Sequence, residues 1–189
     1  MQNLYAYIRQ FADVSEAEFE QIARHLETVE CDKRHVLTQK GQVETKLYII
    51  NKGLVRKFFY KNKQEIITQI AKENDLVCSS VSFLSQQPSA YVVETIEPCT
   101  LFALSFDNLQ KMYRWGHHMN RLGRLIILDW LLQKEIWEHD RLRQQPRERF
   151  IRFIKENSDL VQRVQQKYLA SYLNMKPETF SRYKHLLRG

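Results

Sequence analysis

Glu178, Thr179, Ser181 and Arg182 fall within five residues of one another, and their side chains are of the types that read duplex DNA. An arginine presents a fork of N–H donors that matches guanine O6 and N7, and a glutamate accepts from cytosine N4. The surrounding stretch, Gln166 to Leu186, reads QKYLASYLNMKPETFSRYKHL. It predicts two short helices with a three-residue break. Leu169, Ala170 and Leu173 give the first an apolar face at helical spacing. Asn174 sits at the break, where Asn tolerates left-handed backbone. Pro177 fits the first turn of the second helix, where its missing N–H costs nothing. Phe180, Tyr183 and Leu187 supply that helix's inner face, leaving Pro177, Glu178, Thr179, Ser181 and Arg182 near its outer, N-terminal end. That end of a helix-turn-helix enters the major groove. Gln166 and Lys167 open the preceding helix, where phosphate contact is the natural role. Lys176, at the N-cap of the second helix, is a poor cap. A surface αα-hairpin without a nucleic-acid role is the alternative reading of the same pattern.

Other chemistry has little to stand on. Cys31, Cys78 and Cys99 are scattered and odd in number, which suggests reduced structural thiols and neither a disulfide framework nor a metal site. His117 and His118 are adjacent and point apart on a helix, as a solvated pair does. There is no GxGxxG, P-loop, HExxH or GxSxG pattern, and nothing argues for an enzyme. The N-terminus lacks an apolar signal region. The run LIILDWLL is too short to cross a bilayer and contains Asp129. The expectation is a cytoplasmic protein without a membrane partner or a bound metal.

The elements that must position the reading residues follow from periodicity and charge. Of the net +7, residues 1–109 contribute −2 and residues 110–189 contribute +9. A basic C-terminal part behind a neutral one suits polyanion binding. Residues 2–11 and 15–28 read as helices, the second with a Ser15–Glu18 capping box and an apolar stripe of Phe19, Ile22, Ala23 and Leu26. From Val29 the pattern turns to short runs of β-branched and aromatic residues: HVLTQKG, KLYIINKGLVRKFFY, QEIITQIA, AYVVETI and CTLFALS. Turn signals separate them, as in an antiparallel sandwich, barrel or roll. After Asp107 the period is helical again. The stretch from about His117 to Gln144 carries one apolar stripe of Leu122, Leu125, Leu128, Leu132 and Ile136 and another of Ile127, Trp130 and Trp137. Two stripes on one helix suggest that one packs on its own chain and the other on a second copy. Pro146 starts a further helix with Phe150, Ile151, Phe153 and Ile154 inward.

This order of parts resembles the CRP/FNR family of bacterial transcription regulators. The sharpest matches are LYIINKGLVRKFF, ENDLVCSSVSFLSQQPSA and LASYLNMKPETFSR. The resemblance implies an α+β fold in three parts. Residues 1–116 are a sensor, an antiparallel β-roll (a double-stranded β-helix of cupin-like kind) flanked by helices. Residues 117–144 are a long dimerisation helix, and residues 145–189 an all-α helix-turn-helix domain. It implies a homodimer on a pseudo-palindromic operator in double-stranded DNA, with RNA polymerase as a further partner. The family's recognition pattern R-E-T-x-x-R reads Pro177-Glu178-Thr179-Phe180-Ser181-Arg182 here, so its first Arg is lost. The family's Gly-Glu pair and Arg-Ser-Ala triplet fall on Cys78-Ser79 and Pro88-Ser89-Ala90. With Ser80 these are the effector-pocket candidates. No Arg lies between Lys72 and Arg114, so cyclic AMP is not the expected effector and none is named. An iron–sulfur cluster is likewise not expected, since only Cys31 lies near the N-terminus. The short C-terminal end after the recognition helix resembles a wingless subgroup. The competing reading is a ligand- or protein-binding adaptor whose helix-turn-helix does not read DNA.

Overall fold

A computed structural model describes residues 1–183; Leu186, the end of the reading stretch, and Leu187, expected on the inner face of its second helix, lie outside them. Two helices come first, α1 (Gln2–Ile8) and α2 (Glu16–Ala23). The anticipated capping box is present: Ser15 Oγ accepts from the Glu18 N–H, and the Glu18 carboxylate accepts from the Ser15 N–H at 2.9 Å. The helix stops at Ala23, however, and Leu26 opens strand β1 (Leu26–Cys31). A single leucine satisfies either period. The choice is made by β8 (Cys99–Ser105), far along the chain, with which β1 pairs from Leu26–Leu104 to Cys31–Cys99.

The remaining strands are β2 (Val36–Thr38), β3 (Lys46–Lys52), β4 (Val55–Lys61), β5 (Gln64–Ala71), β6 (Leu76–Val77) and β7 (Val92–Thr95). A short helix, α3 (Ser80–Ser85), interrupts them. Asn62 and Lys63, both at positive φ, form the two-residue turn that favours a tight β4–β5 hairpin. The strands make two four-stranded antiparallel sheets, ordered β1-β8-β3-β6 and β2-β7-β4-β5. Between them lie Ile50, Val55, Val77, Val93 and Leu101. This is the expected α+β roll, and the sheets stay separate instead of closing into a barrel.

The outer face of the first sheet is covered by α1, α2, α4 (Phe106–Tyr113) and the start of α5 (His117–Arg143). Leu122 belongs to this cover and is buried against Leu104, Leu109 and Ile22 of its own chain. It therefore leaves the stripe expected to meet a second copy. At 100° per residue, Met119, Leu122, Ile126 and Trp130 share one face of α5, while Leu128, Leu131, Leu132 and Ile136 project to solvent from the other.

The outer face of the second sheet is covered by α6 (Pro146–Glu156), α7 (Ser158–Arg163), α8 (Gln166–Tyr172) and α9 (Pro177–Tyr183). Phe150, Phe153, Leu160, Leu169, Leu173 and Phe180 form one cluster with Phe58, Ile67 and Ile70 of that sheet and with Leu54 just before β4. Arg149, 5% exposed, ties this cover to the long helix. Its guanidinium donates to the carbonyls of Arg141 (2.6 Å) and Gln144 (2.8 Å) at the end of α5, and to Leu173 (2.8 Å) just after α8. Burial and the nearby Arg141 lower its pKa, yet arginine stays charged. Arg149→Met should leave those carbonyls unpaired and lower stability by about 2–4 kcal/mol in denaturant unfolding. Arg149→Lys should recover only part of the loss, because a lysine cannot span all three acceptors.

Candidate functional site

The reading stretch folds as two helices around a left-handed residue. Asn174 has φ 50, its N–H donating to Ser171 O, and the Met175 N–H donates to Ala170 O. Pro177 is the first residue of α9, and the Phe180 N–H closes the first turn on Lys176 O. Phe180 is fully buried and meets Phe150 edge-on at 5.0 Å. Ala170, also fully buried, lets the helices cross closely. With Phe180 inward, Pro177, Glu178, Ser181 and Arg182 are exposed and Thr179 is half-buried. Gln166 and Lys167 are exposed at the start of α8, with Lys167 Nζ 4.9 Å from the Tyr168 ring.

The same helix α8 is bound to the roll. β5 is an edge strand, and the Ser171 hydroxyl accepts from the Ile67 N–H and donates to Glu65 O, each at 3.0 Å. It thus satisfies backbone groups that a further strand would otherwise take. Arg56 lies between the rings of Tyr168 (4.1 Å) and Phe58 (4.2 Å) while bonded to Glu94 and Glu65. Arg163 grips Glu73 at 2.7 and 3.0 Å and also reaches Glu97, and Lys72 meets Asp159 at 3.2 Å. The Arg163 hydrogen bonds hold the Glu73 carboxyl down to about 2 against the opposing effect of burial. Sequence reasoning missed this contact entirely. Its partners lie up to 106 residues apart, and no local pattern announces them.

Within the roll, the effector-pocket candidates divide. Cys78, Ser79 and Ser89 are buried, and Ser89 Oγ donates to Ser79 Oγ at 2.7 Å. Ser80 begins α3 and is half-buried, whereas Pro88 and Ala90 are exposed. Two charged residues outside the sequence candidates complete the site. Lys57, on β4, is buried, and its ammonium donates to Cys78 O at 3.2 Å. Burial lowers its pKa to about 8. The strand's alternation was the available signal, since Val55 faces the roll interior and Lys57 is two residues on. Glu44, also buried, accepts from the Thr38 hydroxyl and from the Ser79 N–H (3.2 Å), and burial raises its pKa. A cavity of about 220 Å³ with polar and apolar walls runs from Lys57 and Gln69 past Asp129, Gln133 and Lys134 of α5 to Tyr172 of α8, with Asp75 also facing it. A second, apolar cavity of about 100 Å³ lies between the first sheet and α5 and is lined by core side chains.

Comparison with known proteins places this geometry. Residues 28–114 match the cyclic nucleotide-binding domain family. That region is similar to a cyclic nucleotide-binding domain, and the chain as a whole has a CRP/FNR-type fold. CLP of Xanthomonas campestris, described as a c-di-GMP-responsive global regulator, superposes with a TM-score of 0.70 at 16% identity over 92% of each chain. FixK2 of Bradyrhizobium japonicum gives 0.72 at 18% identity over 86% of this chain and 84% of its own. The catabolite activator protein of Thermus thermophilus gives 0.58 at 19% identity, over 94% and 85%. No curated protein matches the sequence significantly.

The matching region does not fit a cyclic phosphate well. Lys57 supplies a cation that the sequence alone did not reveal, but it is engaged with Cys78 O. The Ser79 N–H at the start of α3 already serves the Glu44 carboxylate, which would oppose a second anion at that point. Among the described residues no group of three or more His, Cys, Asp or Glu side chains could hold a metal, and no helix is long and apolar enough to cross a membrane.

The Arg163–Glu73 contact gives a pH test. A carboxyl held below its unfolded value contributes stability above the ordinary carboxylate range and loses it as pH falls through the folded value. The stability gap between the native chain and Arg163→Gln should be about 1–2 kcal/mol near neutrality. It should narrow below about pH 4 and close near pH 2, as read from denaturant melts across pH.

Proposed function

We propose that the chain is a homodimeric, sequence-specific DNA-binding transcription regulator and not an enzyme. The observation that carries this reading is the build of α9. Its inner residue Phe180 is fixed in the core, while Glu178, Ser181 and Arg182 are presented outward on the basic C-terminal part. In this reading Arg182 and Glu178 contact base edges. Thr179 and Ser181 lie near the backbone, and Gln166 and Lys167 meet phosphates at the start of α8. Two copies joined along α5 would read half-sites about 34–36 Å apart on one face of the duplex. RNA polymerase is a further partner of such a regulator.

The β-roll is the sensor. Its larger cavity touches the roll at Lys57, the long helix at Lys134 and the reading domain at Tyr172, so an occupant there contacts all three parts. Cyclic AMP is not the effector in this reading, because Glu44 stands at the start of α3 and no arginine replaces the one the family uses.

Two measurements test the proposal. Arg182→Ala should cost roughly 1–3 kcal/mol per half-site and relax preference at one base pair. Lys167→Ala should weaken specific and random duplexes alike and flatten the salt dependence by about one unit. If neither substitution changes DNA binding, the chain is an adaptor whose helix-turn-helix does not read DNA.

Assembly is tested on residues that are exposed in the single chain. Leu132→Glu with Ile136→Glu should leave the fold intact and shift sedimentation from dimer to monomer at micromolar protein. A double variant that stays dimeric assigns the interface to another surface.

A further inference from the structure

The three cysteines are free and buried, but two of them are not scattered in space. Cys31 and Cys99 are directly opposite each other on the antiparallel β1–β8 pair. Residues opposed in this way point to the same face of the sheet, with Cα atoms about 4.5–5.5 Å apart. A disulfide spans Cα separations of about 4.4–6.8 Å. Both side chains lie in the core between the two sheets, at 7% and 3% exposure. They are nevertheless reachable, since a surface recess of about 360 Å³ is lined by both cysteines together with Asp32, Lys52 and Pro98.

We propose that Cys31 and Cys99 are an oxidation site, a cross-strand dithiol that hydrogen peroxide converts reversibly to a disulfide. The sulfur of one cysteine, as thiolate, attacks a peroxide oxygen; the O–O bond breaks, a sulfenic acid forms, and the departing hydroxide takes up the proton the thiol had lost and leaves as one water. The second thiol then displaces the sulfenic hydroxyl as a second water, forming the S–S bond. The two sulfurs together lose two electrons and the peroxide gains them. The step is independent of DNA binding and of any effector.

The local structure sets its rate and its reversibility. Burial raises the Cys31 thiol and brings Cys99 to about 11, so little thiolate is present near neutrality and the pair responds to sustained oxidant. Opposed Cβ atoms lie about 4.5–5.5 Å apart, at or beyond the upper end of the range of about 3.5–4.5 Å that a disulfide prefers. Closure therefore draws the strands together under strain, and a strained bridge is easily reduced. Cys99 must also turn away from its present partners. Its thiol donates to Glu97 O (3.1 Å) and Leu54 O (3.4 Å), and its sulfur fills the space where a Cβ on Gly53 would stand, 2.6 Å away. Gly53 N–H binds Glu73, and both Glu73 and Glu97 hold Arg163. Closure thus acts directly behind the ion pairs that hold the C-terminal helices on the roll.

The test uses the full chain treated with hydrogen peroxide, then denatured and alkylated with N-ethylmaleimide. Two of the three cysteines should become protected, with a peptide map linking Cys31 to Cys99 within one chain. Dithiothreitol should restore all three. Cys31→Ala and Cys31→Ser, each checked for native circular dichroism, should leave Cys99 free to alkylate after the same treatment. Three alkylated cysteines after prolonged oxidation would overturn the proposal. So would a bridge that includes Cys78 or joins two chains, or a sulfinic acid on either cysteine in place of the bridge.

Discussion

The Arg149 guanidinium is the point on which the arrangement of the reading helices depends. A buried cation without a carboxylate partner is costly unless its donors are met, and here the partners are backbone carbonyls. They come from the last turn of α5 and from the turn between α8 and α9. Helix C-termini carry partial negative charge, so a cation suits that place. Because the acceptors belong to both segments, the end of the long helix and the turn of the reading motif cannot move apart without unpairing them. The orientation of α9 is therefore referred to α5, the helix that leaves Leu128, Leu131, Leu132 and Ile136 exposed.

A second constraint holds the same helices from the other side. The edge of β5 is closed by Ser171, and the outer face of that sheet shares one apolar cluster with α6 to α9. The C-terminal helices are thus packed on the β-roll, not hung from it by a linker. Beside the Ser171 hydrogen bonds, their contacts include apolar burial, which salt strengthens if anything, and partly exposed ion pairs such as Lys72–Asp159, which salt weakens. Displacing the helices would uncover both Ile67 and Ile70 and the open β5 edge. A docked and an undocked arrangement would accordingly be separated by a discrete rearrangement more than by gradual sliding.

The parts of the fold that were legible in the sequence are those decided locally. β5 and β8 fall on the runs QEIITQIA and CTLFALS, and α9 begins at the proline that marks its first turn. Asn174 takes the left-handed conformation that its type suggested. What was not legible depends on partners distant in the chain. Leu26 became strand because β8 was there to pair with it, and β6, only two residues long, is defined by its neighbour β3. Leu122 looked like part of an outward stripe because its spacing to Leu125 is helical, but a long stripe drifts around the helix, and only the packing shows where it turns inward. The site shows the same division. The exposed residues of α9 could be read from spacing, whereas Lys57, Glu44 and the Arg163 contacts are brought together by sheet topology.

These long-range contacts also bear on how the roll, the long helix and the C-terminal helices are coupled. Lys57 and Lys134 face the same cavity from the roll and from α5, together with Asp75 and Asp129. Burial is the main reason the charged form of Lys57 is disfavoured; Lys134 adds to it and Glu44 offsets it. An occupant with both donors and acceptors would meet charges of both signs there, on the roll and on the long helix. At its far end the cavity is walled by Tyr172 of α8, stacked on Trp137 of α5 at 4.4 Å, so the two helices are in direct contact there. A ligand can shift such an equilibrium only by its differential affinity for the two arrangements. The mixed ownership of this cavity supplies the means, because its walls keep their present spacing only while roll, long helix and C-terminal helices remain docked.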